Sequence, residues 1–221
     1  MPSSLMHIYL IEAGPRLLAG MSEESSAHAE QFLREMGVNI LLNKRVVDYR
    51  DHKVVLEDGT EIATRTFIWV SGVTGVTIGN LDASLIGRGG RIKVDSFNRV
   101  EGMNNVFAIG DQCIQLADEN YPNGHPQLAQ VAIQQGELLA KNLVRMEKGR
   151  EMKPFHYRNL GSMATVGRNR AVAEFSKIKT QGWFAWVLWL VVHLRSILGV
   201  RNKVVVLLNW IWNYFTYDQS M

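Results

Sequence analysis

The chain has 221 residues, a formal net charge of +3 and one cysteine, Cys113. Apolar residues at 47% and charged residues at 20% are ordinary proportions for a globular protein. The single cysteine excludes an internal disulfide framework and any multi-cysteine metal site. No metal site is expected. The opening residues give no expectation of a signal peptide.

Strand and helix patterns alternate over the first third of the chain. HIYLI predicts a strand that ends at Glu12, and a helix follows with Ser22 as its N-cap and Gly37 as its stop. A second strand, VNILLN, precedes antiparallel strands joined at Asp51-His52 and Asp58-Gly59. TFIWVSGVTG predicts a further buried strand. This order is typical of the back half of a dinucleotide-binding α/β unit.

Glu12 is a candidate ligand-binding residue. An acid that ends a strand before a helix is where such units hold an adenosine ribose through its hydroxyls. The G-x-G-x-x-G turn that normally precedes this acid by about 20 residues does not occur in the sequence. Taken alone, Glu12 is equally well explained as a solvated carboxylate at a strand end.

The stretch NVFAIGDQC, residues 105–113, is an apolar run that stops at Gly110 and Asp111. Val106 to Ile109 predict a short strand inside a covered sheet. Ligands in open α/β sheets bind beyond the carboxyl ends of strands, where Gly110 would let a backbone approach closely and Asp111 would accept from a hydroxyl. The alternative is a strand followed by a turn, with no ligand.

A long helix follows, because Pro126 lies near its start and Gly149 lies past its end. Its apolar residues predict a stripe facing the core: Leu128, Val131, Ala132, Leu138, Leu139 and Leu143. Gln130, Gln134 and Gln135 lie in its first two turns. They form either a solvated face or a set of amides directed at a ligand that also meets the positive end of the helix dipole.

The chain from residue 150 onward is basic, with ten Lys/Arg and three Asp/Glu, and it holds five of the six tryptophans. Short strands around a Gly-rich turn precede two apolar runs, 183–192 and 204–208. Each run is too short to span a bilayer, so we expect two helices lying flat at a membrane surface. The tryptophans expected at the headgroup level are Trp183, Trp186, Trp210 and Trp212.

Basic residues cluster where these two helices connect. Arg195, Arg201 and Lys203 would meet anionic lipid headgroups there. The alternatives to a membrane surface are a core helical hairpin and a homodimer interface. Nucleic acid is not expected as a partner, because the aromatic residues lie among aliphatic ones rather than among lysines and arginines.

Five motifs, in this order, resemble the type II NADH dehydrogenases, which are single-subunit flavoproteins that pass electrons from NADH to quinone at a membrane face. The motifs are TFIWVSGV, NVFAIGD, AQVAIQQGELLAKNL, GSMATVGRNRAV, and AWVLWLVVHL followed by RNKVVVLLNWIWNY. The resemblance implies an α/β fold, a partial flavoprotein of two dinucleotide-binding (Rossmann-like) domains with C-terminal amphipathic helices.

The resemblance also implies a division of the chain. Residues 1–75 would be the C-terminal part of an NADH-binding domain, and residues 76–150 the C-terminal part of an FAD-binding domain. A short β region would cover 151–180, and membrane-anchoring helices 181–221. The two glycine-rich phosphate loops of the family precede all five motifs. The chain is therefore expected to be the C-terminal half of such an enzyme, either truncated or started at an internal Met1.

For FAD, the resemblance implies that Asp111, beside Gly110, binds the ribityl chain. Residues at the start of the long helix would lie beside the isoalloxazine ring: Ala129, Gln130 and Val131. The quinone would approach the same helix at Gln130, Ile133 and Gln134. Gln130 is the candidate catalytic residue, as a hydrogen-bonding group, although an amide cannot act as an acid near neutral pH.

For NADH, the resemblance implies that Glu12 binds the ribose and that Gly72 lies near the point where the nicotinamide meets the flavin. The implied activity is hydride transfer from NADH to FAD and then to a quinone, peripherally at the cytoplasmic face of the inner membrane. The rival hypothesis is a cofactor-free, membrane-associating fragment without catalysis. Sulfide:quinone chemistry uses a cysteine pair, so the lone Cys113 argues against it and is expected to fill the core.

Overall fold

The computed structural model describes residues 6–76, 78–176, 178–197 and 199–216. Its first elements are β1 (Ile8–Ile11), α1 (Glu23–Glu35), β2 (Val38–Leu41), β3 (Val46–Arg50), β4 (Lys53–Leu56) and β5 (Glu61–Ala63). They are followed by β6 (Ile92–Val94), β7 (Cys113–Gln115) and α2 (Ala129–Glu147). The last are β8 (Ser162–Thr165), β9 (Ala171–Phe175), β10 (Ile178–Gln181), α3 (Gly182–Ser196) and α4 (Val200–Thr216).

These elements form two compact units. Unit 1 combines the residues up to Phe67 with those from Gly161 onward, and unit 2 comprises Ile68–Leu160. Each unit contains both helix and strand, as expected for an α/β fold. The functional division at residues 75, 150 and 180 remains a prediction.

The N-terminal part of unit 1 forms as its sequence predicts. β1 and β2 pair in parallel, and α1 lies between them in the chain. The Ser22 hydroxyl accepts a hydrogen bond from the Ser25 amide at 3.3 Å, which makes Ser22 the N-cap of α1. β3, β4 and β5 form an antiparallel sheet. Its first turn has positive φ at both Asp51 and His52, the condition for a tight two-residue hairpin.

The C-terminal part of unit 1 is a sheet covered by a helix. β8, β9 and β10 form an antiparallel sheet with β9 at its centre. Ala171 and Ala173 of β9 and Ala185 of α3 are fully buried against one another, with Trp186 packed at the edge of this cluster. Small side chains at the contact let the α3 backbone approach the sheet closely.

Unit 2 is built around one parallel strand pair. β6 pairs with β7, so that Ile92 lies opposite Cys113. These two residues are buried together with Val94, Val100 and Ala108. α2 follows β7 and packs against the turn at residues 110–112, which therefore lies at the junction of the strand pair and the helix.

The strand predicted in TFIWVSGVTG is not formed, so that prediction was wrong. Ile68, Trp69 and Val70 have no regular secondary structure and are exposed, Val70 by 84%. A strand needs a neighbour for its backbone N–H and C=O groups. Among the described residues, no strand pairs with this segment.

The strand predicted at Val106 to Ile109 is also absent. The run makes an isolated antiparallel bridge between Phe107 and Arg99, and the Ala108 amide donates to the Asn98 carbonyl at 3.0 Å. Val106 is exposed. The run therefore folds back on the turn just before it instead of lying inside a covered sheet, because this partner is only a few residues away in the chain.

The core-facing side of α2 differs from the predicted apolar stripe. Leu128 and Leu143 are exposed, whereas the buried residues of the helix are Val131, Gln135 and Asn142. Both buried amides form hydrogen bonds with backbone groups. Asn142 donates to the Lys153 carbonyl at 2.8 Å and accepts from the Lys153 amide at 2.9 Å. Buried polar side chains with specific partners, rather than leucines, set the orientation of the helix.

Candidate functional site

Gly110 allows a tight contact between the 110–112 turn and α2. Its φ is +65°, and a Cβ added there would lie 3.2 Å from the Cβ of Ala132. The Gly110 amide donates to Oε1 of the buried Gln135 at 2.7 Å. A side chain at position 110 would be strained by the backbone conformation and would push the turn away from the helix.

Asp111 presents its side chain to solvent at this turn. The residue is exposed, and its carboxylate forms no hydrogen bond or ion pair with any other described residue. Its backbone carbonyl accepts from Gln127 Nε2 at 3.1 Å, so the turn is held while the carboxylate is left available. A carboxylate in this state can accept hydrogen bonds from ligand hydroxyls.

The start of α2, beside this turn, is uncapped. Its N-cap residue, Leu128, makes no side-chain hydrogen bond to the first turn. Ala129 is the first helical residue and is exposed, whereas Val131 is buried. An uncapped helix start offers N–H groups and the positive end of the helix dipole to an electron-rich ligand.

The three glutamines of α2 differ in burial, because Gln135 is buried whereas Gln130 and Gln134 are half-buried, and each of them bonds a backbone group. Gln130 Oε1 accepts from the Leu160 amide at 3.0 Å. Gln134 bonds both backbone groups of Arg158, at 2.9 and 3.0 Å. Gln135 holds Gly110. Contact of Gln130 and Gln134 with a ligand remains a prediction, and so does the quinone-side role of the exposed Ile133.

Cys113 lies under the turn as a buried thiol. Its Sγ is 3.4 Å from the Gly110 carbonyl and 3.6 Å from Gln135 Oε1. Burial raises the pKa of the Cys113 thiol, which keeps it protonated and unreactive. The side chain fills the core of unit 2, as expected from its place in the sequence.

Glu12 lies at the carboxyl end of β1 in unit 1, as the strand pattern predicts. The residue is half-buried, and its Oε1 accepts from the Gly14 amide at 2.7 Å. This bond fixes the carboxylate above the end of the strand pair. The remaining lone pairs of the carboxylate can accept from ribose hydroxyls.

Gly72 of unit 2 lies in open space. Its backbone conformation, and not a lack of room, is what favours glycine there. Its φ is +93°, and an added Cβ would meet nothing within 4 Å. The Gly72 amide donates to the Val70 carbonyl at 3.0 Å, which closes a tight turn in an exposed segment.

The two C-terminal helices pack together through aromatic rings. Trp186 lies 5.7 Å from Tyr214, and Trp189 lies 6.1 Å from Trp210, as distances between ring centroids. Trp183 and Trp212 are exposed, whereas Trp186 and Trp210 are partly buried in this packing. Arg195 and Arg201 are exposed and Lys203 is half-buried. In the part of the chain that the structure describes, no helix is long and apolar enough to cross a bilayer.

Comparison with known proteins decides the family. A sequence model of the pyridine nucleotide-disulphide oxidoreductases matches residues 3–136, more than half of the chain. The chain belongs to this family. A second sequence model, the NDH2 C-terminal domain, matches residues 159–217 of the chain. The two matches confirm the resemblance to type II NADH dehydrogenases that the motifs carry.

Two curated relatives of this chain illustrate the match. The type II NADH:quinone oxidoreductase NdhA of Mycobacterium tuberculosis is 35% identical over 216 residues, which cover 92% of this chain and 44% of the relative. The internal alternative NAD(P)H-ubiquinone oxidoreductase A1, mitochondrial, of Arabidopsis thaliana is 31% identical over 227 residues. These residues cover 95% of this chain and 44% of the relative. The chain therefore spans less than half the length of these relatives.

A solved structure shares the fold of this chain. The structure of NDH2 from Plasmodium falciparum in complex with NADH matches with a TM-score of 0.84 and 18% sequence identity. The match covers 96% of this chain and 58% of that chain. The predicted fold class, a partial flavoprotein fold of the Rossmann type with C-terminal helices, is confirmed.

The sequence patterns did not predict a buried polar pair in the loop between β7 and α2. His125 Nε2 lies 3.0 Å from Asp118 Oδ2, and both side chains are almost fully buried. The His125 ring packs among Tyr121, Phe155 and Tyr157. The hydrogen bond from His125 lowers the pKa of Asp118, although burial opposes this shift. The loop sequence, DENYPNGH, is rich in turn-forming residues.

Contacts beside the 110–112 turn were missed as well. Gln112 accepts from the Val76 amide at 2.9 Å and donates to the Val76 carbonyl at 2.6 Å. The nearby Gly75 amide donates to the Gly89 carbonyl at 2.8 Å, and a Cβ on Gly75 would lie 2.3 Å from the Gly90 carbonyl oxygen. The glycine-rich stretches GVTG and GRGG were the only signal of this close backbone approach.

Proposed function

We propose that this chain carries the flavin-facing and quinone-facing part of a type II NADH:quinone oxidoreductase, which transfers a hydride from NADH to FAD and then reduces a membrane quinone. The observation that carries the proposal is the pairing of the unpartnered Asp111 carboxylate with the uncapped start of α2 on one edge of unit 2. Relatives that match almost the whole chain are named for this activity.

The hydrogen-bonding groups on this edge of unit 2 suit FAD. Asp111 would accept from ribityl hydroxyls, and Gly110 would let the flavin approach the backbone. Ala129, Gln130 and Val131 would direct the positive end of the α2 dipole at the ring system. When bound, FAD supplies the hydride acceptor, and these residues orient it and set the charge around it.

Glu12 of unit 1 would accept from the ribose of NADH. Glu12 is already fixed by Gly14 and has lone pairs left for the ribose hydroxyls. The open space over Gly72 leaves room for the nicotinamide ring to approach the flavin. Quinone would approach α2 at Gln130, Ile133 and Gln134, where the exposed Ile133 offers an apolar contact.

We further propose that α3 and α4 bind a membrane surface with anionic lipid. The assignment is peripheral, on the cytoplasmic face of the inner membrane, and it is supported by the exposed Trp183 and Trp212 and by the basic Arg195, Arg201 and Lys203. A homodimer through the same apolar surface is the alternative.

The rival function is that of a membrane-associating fragment without a cofactor. Purification distinguishes the two functions. A yellow chain, or one that takes up added FAD and is reduced by NADH, supports the oxidoreductase. A colourless chain that takes up no FAD supports the rival, since no G-x-G-x-x-G turn in this sequence anchors a pyrophosphate.

Replacing Asp111 with alanine is expected to weaken FAD binding about ten- to hundredfold. The change removes a hydrogen-bonding group with a full charge, which contributes about 1.5–3 kcal/mol. Equilibrium dialysis against FAD measures the effect. Glu119→Ala is the matched control, because Glu119 is an exposed acid in the following loop. Equal FAD binding by wild type and Asp111→Ala would remove Asp111 from the site.

A further inference from the structure

Gln112 binds the backbone of Val76 to the 110–112 turn of unit 2. The Val76 amide donates to Gln112 Oε1 at 2.9 Å, and Gln112 Nε2 donates to the Val76 carbonyl at 2.6 Å. One side chain therefore pairs with both backbone groups of a single residue, as a residue of a neighbouring strand would. Asp111, the candidate ligand of FAD, directly precedes Gln112 in the chain.

A backbone contact holds the same segment one residue earlier. The Gly75 amide donates to the Gly89 carbonyl at 2.8 Å. A Cβ on Gly75 would lie 2.3 Å from the Gly90 carbonyl oxygen, and a Cβ on Gly90 would lie 2.9 Å from the Gly75 carbonyl oxygen. Glycine at both positions lets the two backbones touch, so residues 75–76 are fixed by two separate contacts within unit 2.

The stretch that leads into these contacts, residues 68–74, is irregular and exposed. It has no regular secondary structure. Its large apolar residues are more than half exposed: Ile68, Trp69, Val70 and Val73. Gly72 lies in this stretch, and the four residues from Gly72 to Val76 span at most about 14 Å of extended chain. The contacts at residues 75 and 76 therefore limit where Gly72 can lie relative to Asp111.

We propose that Gln112 is a positioning residue for hydride transfer, because its bonds to Val76 set the distance between the stretch that carries Gly72 and the turn that carries Asp111. The inference rests on the proposed function, in which Asp111 binds the flavin and Gly72 lies where the nicotinamide meets it. In that function NADH is the hydride donor and FAD the acceptor. A misplacement of about 1 Å between donor and acceptor slows transfer far more than it weakens the binding of either.

Amide hydrogen exchange tests the contact in this chain without any ligand. Gln112→Met keeps the length of the side chain and removes both bonds, so exchange at the Val76 amide is expected to quicken about tenfold. Gln112→Glu keeps the acceptor for the Val76 amide and loses the donor, so exchange there should quicken less. Gln134→Met is the control for exchange at Val76, because Gln134 makes the same pair of bonds with the backbone of Arg158. Unchanged exchange at Val76 in Gln112→Met would overturn the inference.

Two reductants distinguish positioning from a general structural role once FAD is bound. In stopped flow, reduction of the flavin by NADH is expected to be about ten- to hundredfold slower in Gln112→Met than in wild type. Reduction by dithionite, which needs no nicotinamide site, should be equally fast in both, and FAD binding in equilibrium dialysis should be the same.

Three other results would contradict the inference. Equal loss with both reductants, or unchanged reduction by NADH, would overturn the positioning role of Gln112 and leave the proposed function standing. A wild type that takes up no FAD would contradict both the inference and the proposed function.

Discussion

Replacing Leu208, Ile211 and Phe215 on α4 with glutamate is expected to release the protein from lipid vesicles. These residues are 59%, 46% and 75% exposed and repeat at intervals of three and four, so they form one outward apolar stripe. Full burial of each side chain is worth about 1.5–3 kcal/mol. Losing the three together, and adding three negative charges, should weaken partitioning by about 10³-fold.

Sedimentation with vesicles of phosphatidylcholine and phosphatidylglycerol measures this loss. Asn209→Glu is the control for a single added charge, because it adds one negative charge away from the apolar stripe of α4, and it should weaken partitioning far less than the triple variant. Replacing Arg195, Arg201 and Lys203 with glutamine should weaken binding to anionic vesicles and leave binding to neutral vesicles almost unchanged. Each basic residue near the surface is worth about 1 kcal/mol.

The tryptophans provide a second measurement on the same vesicles. The blue shift of emission should come from Trp183 and Trp212, which are exposed. Trp186 and Trp210 already pack against rings of the neighbouring helix and should contribute little. If the triple glutamate variant sediments like wild type but changes its oligomeric state, α4 forms a homodimer contact and the membrane assignment is wrong.

Replacing Glu174 with alanine is expected to destabilise unit 1 by about 3 kcal/mol. Glu174 lies on β9, and its carboxylate accepts from the Ser22 amide at 3.0 Å, from the Ser22 hydroxyl and from the Ser25 hydroxyl at 2.6 Å. It therefore caps α1 from a strand about 150 residues away in the chain. The loss leaves the buried Ser25 hydroxyl without this acceptor and removes a negative charge from a helix N-terminus.

Thermal unfolding measures this change, and a loss of about 3 kcal/mol corresponds to a drop in Tm of about 6–12 °C for a chain of this size. Glu23→Ala is the control, because Glu23 is an exposed acid in the same first turn of α1. A drop in Tm for Glu174→Ala no larger than that for Glu23→Ala would show that the contact with α1 contributes nothing.

The contribution of Glu174 to folding stability should decrease as pH falls. Burial raises the pKa of Glu174, but the hydrogen bonds from Ser22 and Ser25 outweigh burial and lower the pKa below its ordinary value of 4.5. The unfolded chain therefore takes up the proton first as pH falls. The stabilisation is fully present above pH 4.5 and is lost as pH falls through the lower pKa of the folded state. The Tm difference between wild type and Glu174→Gln should shrink over that range.

Much of the local structure could be read directly from the sequence. Ser22 and Gly37 bound α1, the positive φ of Asp51 and His52 makes the β3–β4 turn, and the long helix lies between Pro126 and Gly149. The same reasoning found the Gly110-Asp111 turn, although not the fold of the run before it. These features depend on residues a few positions apart, so their causes lie within the stretch that was read.

The tertiary structure determined which hydrogen-bond partner each polar side chain on these elements has. Gln135 was assigned to either solvent or ligand and instead holds Gly110, 25 residues away, while Gln134 holds Arg158, 24 residues away. Glu174 caps α1 across 152 residues. The three glutamines of α2 have the same chemistry and nearly the same sequence context. Their partners differ because buried polar groups take whichever acceptor or donor the fold brings within hydrogen-bonding distance, and chain spacing carries no record of that distance.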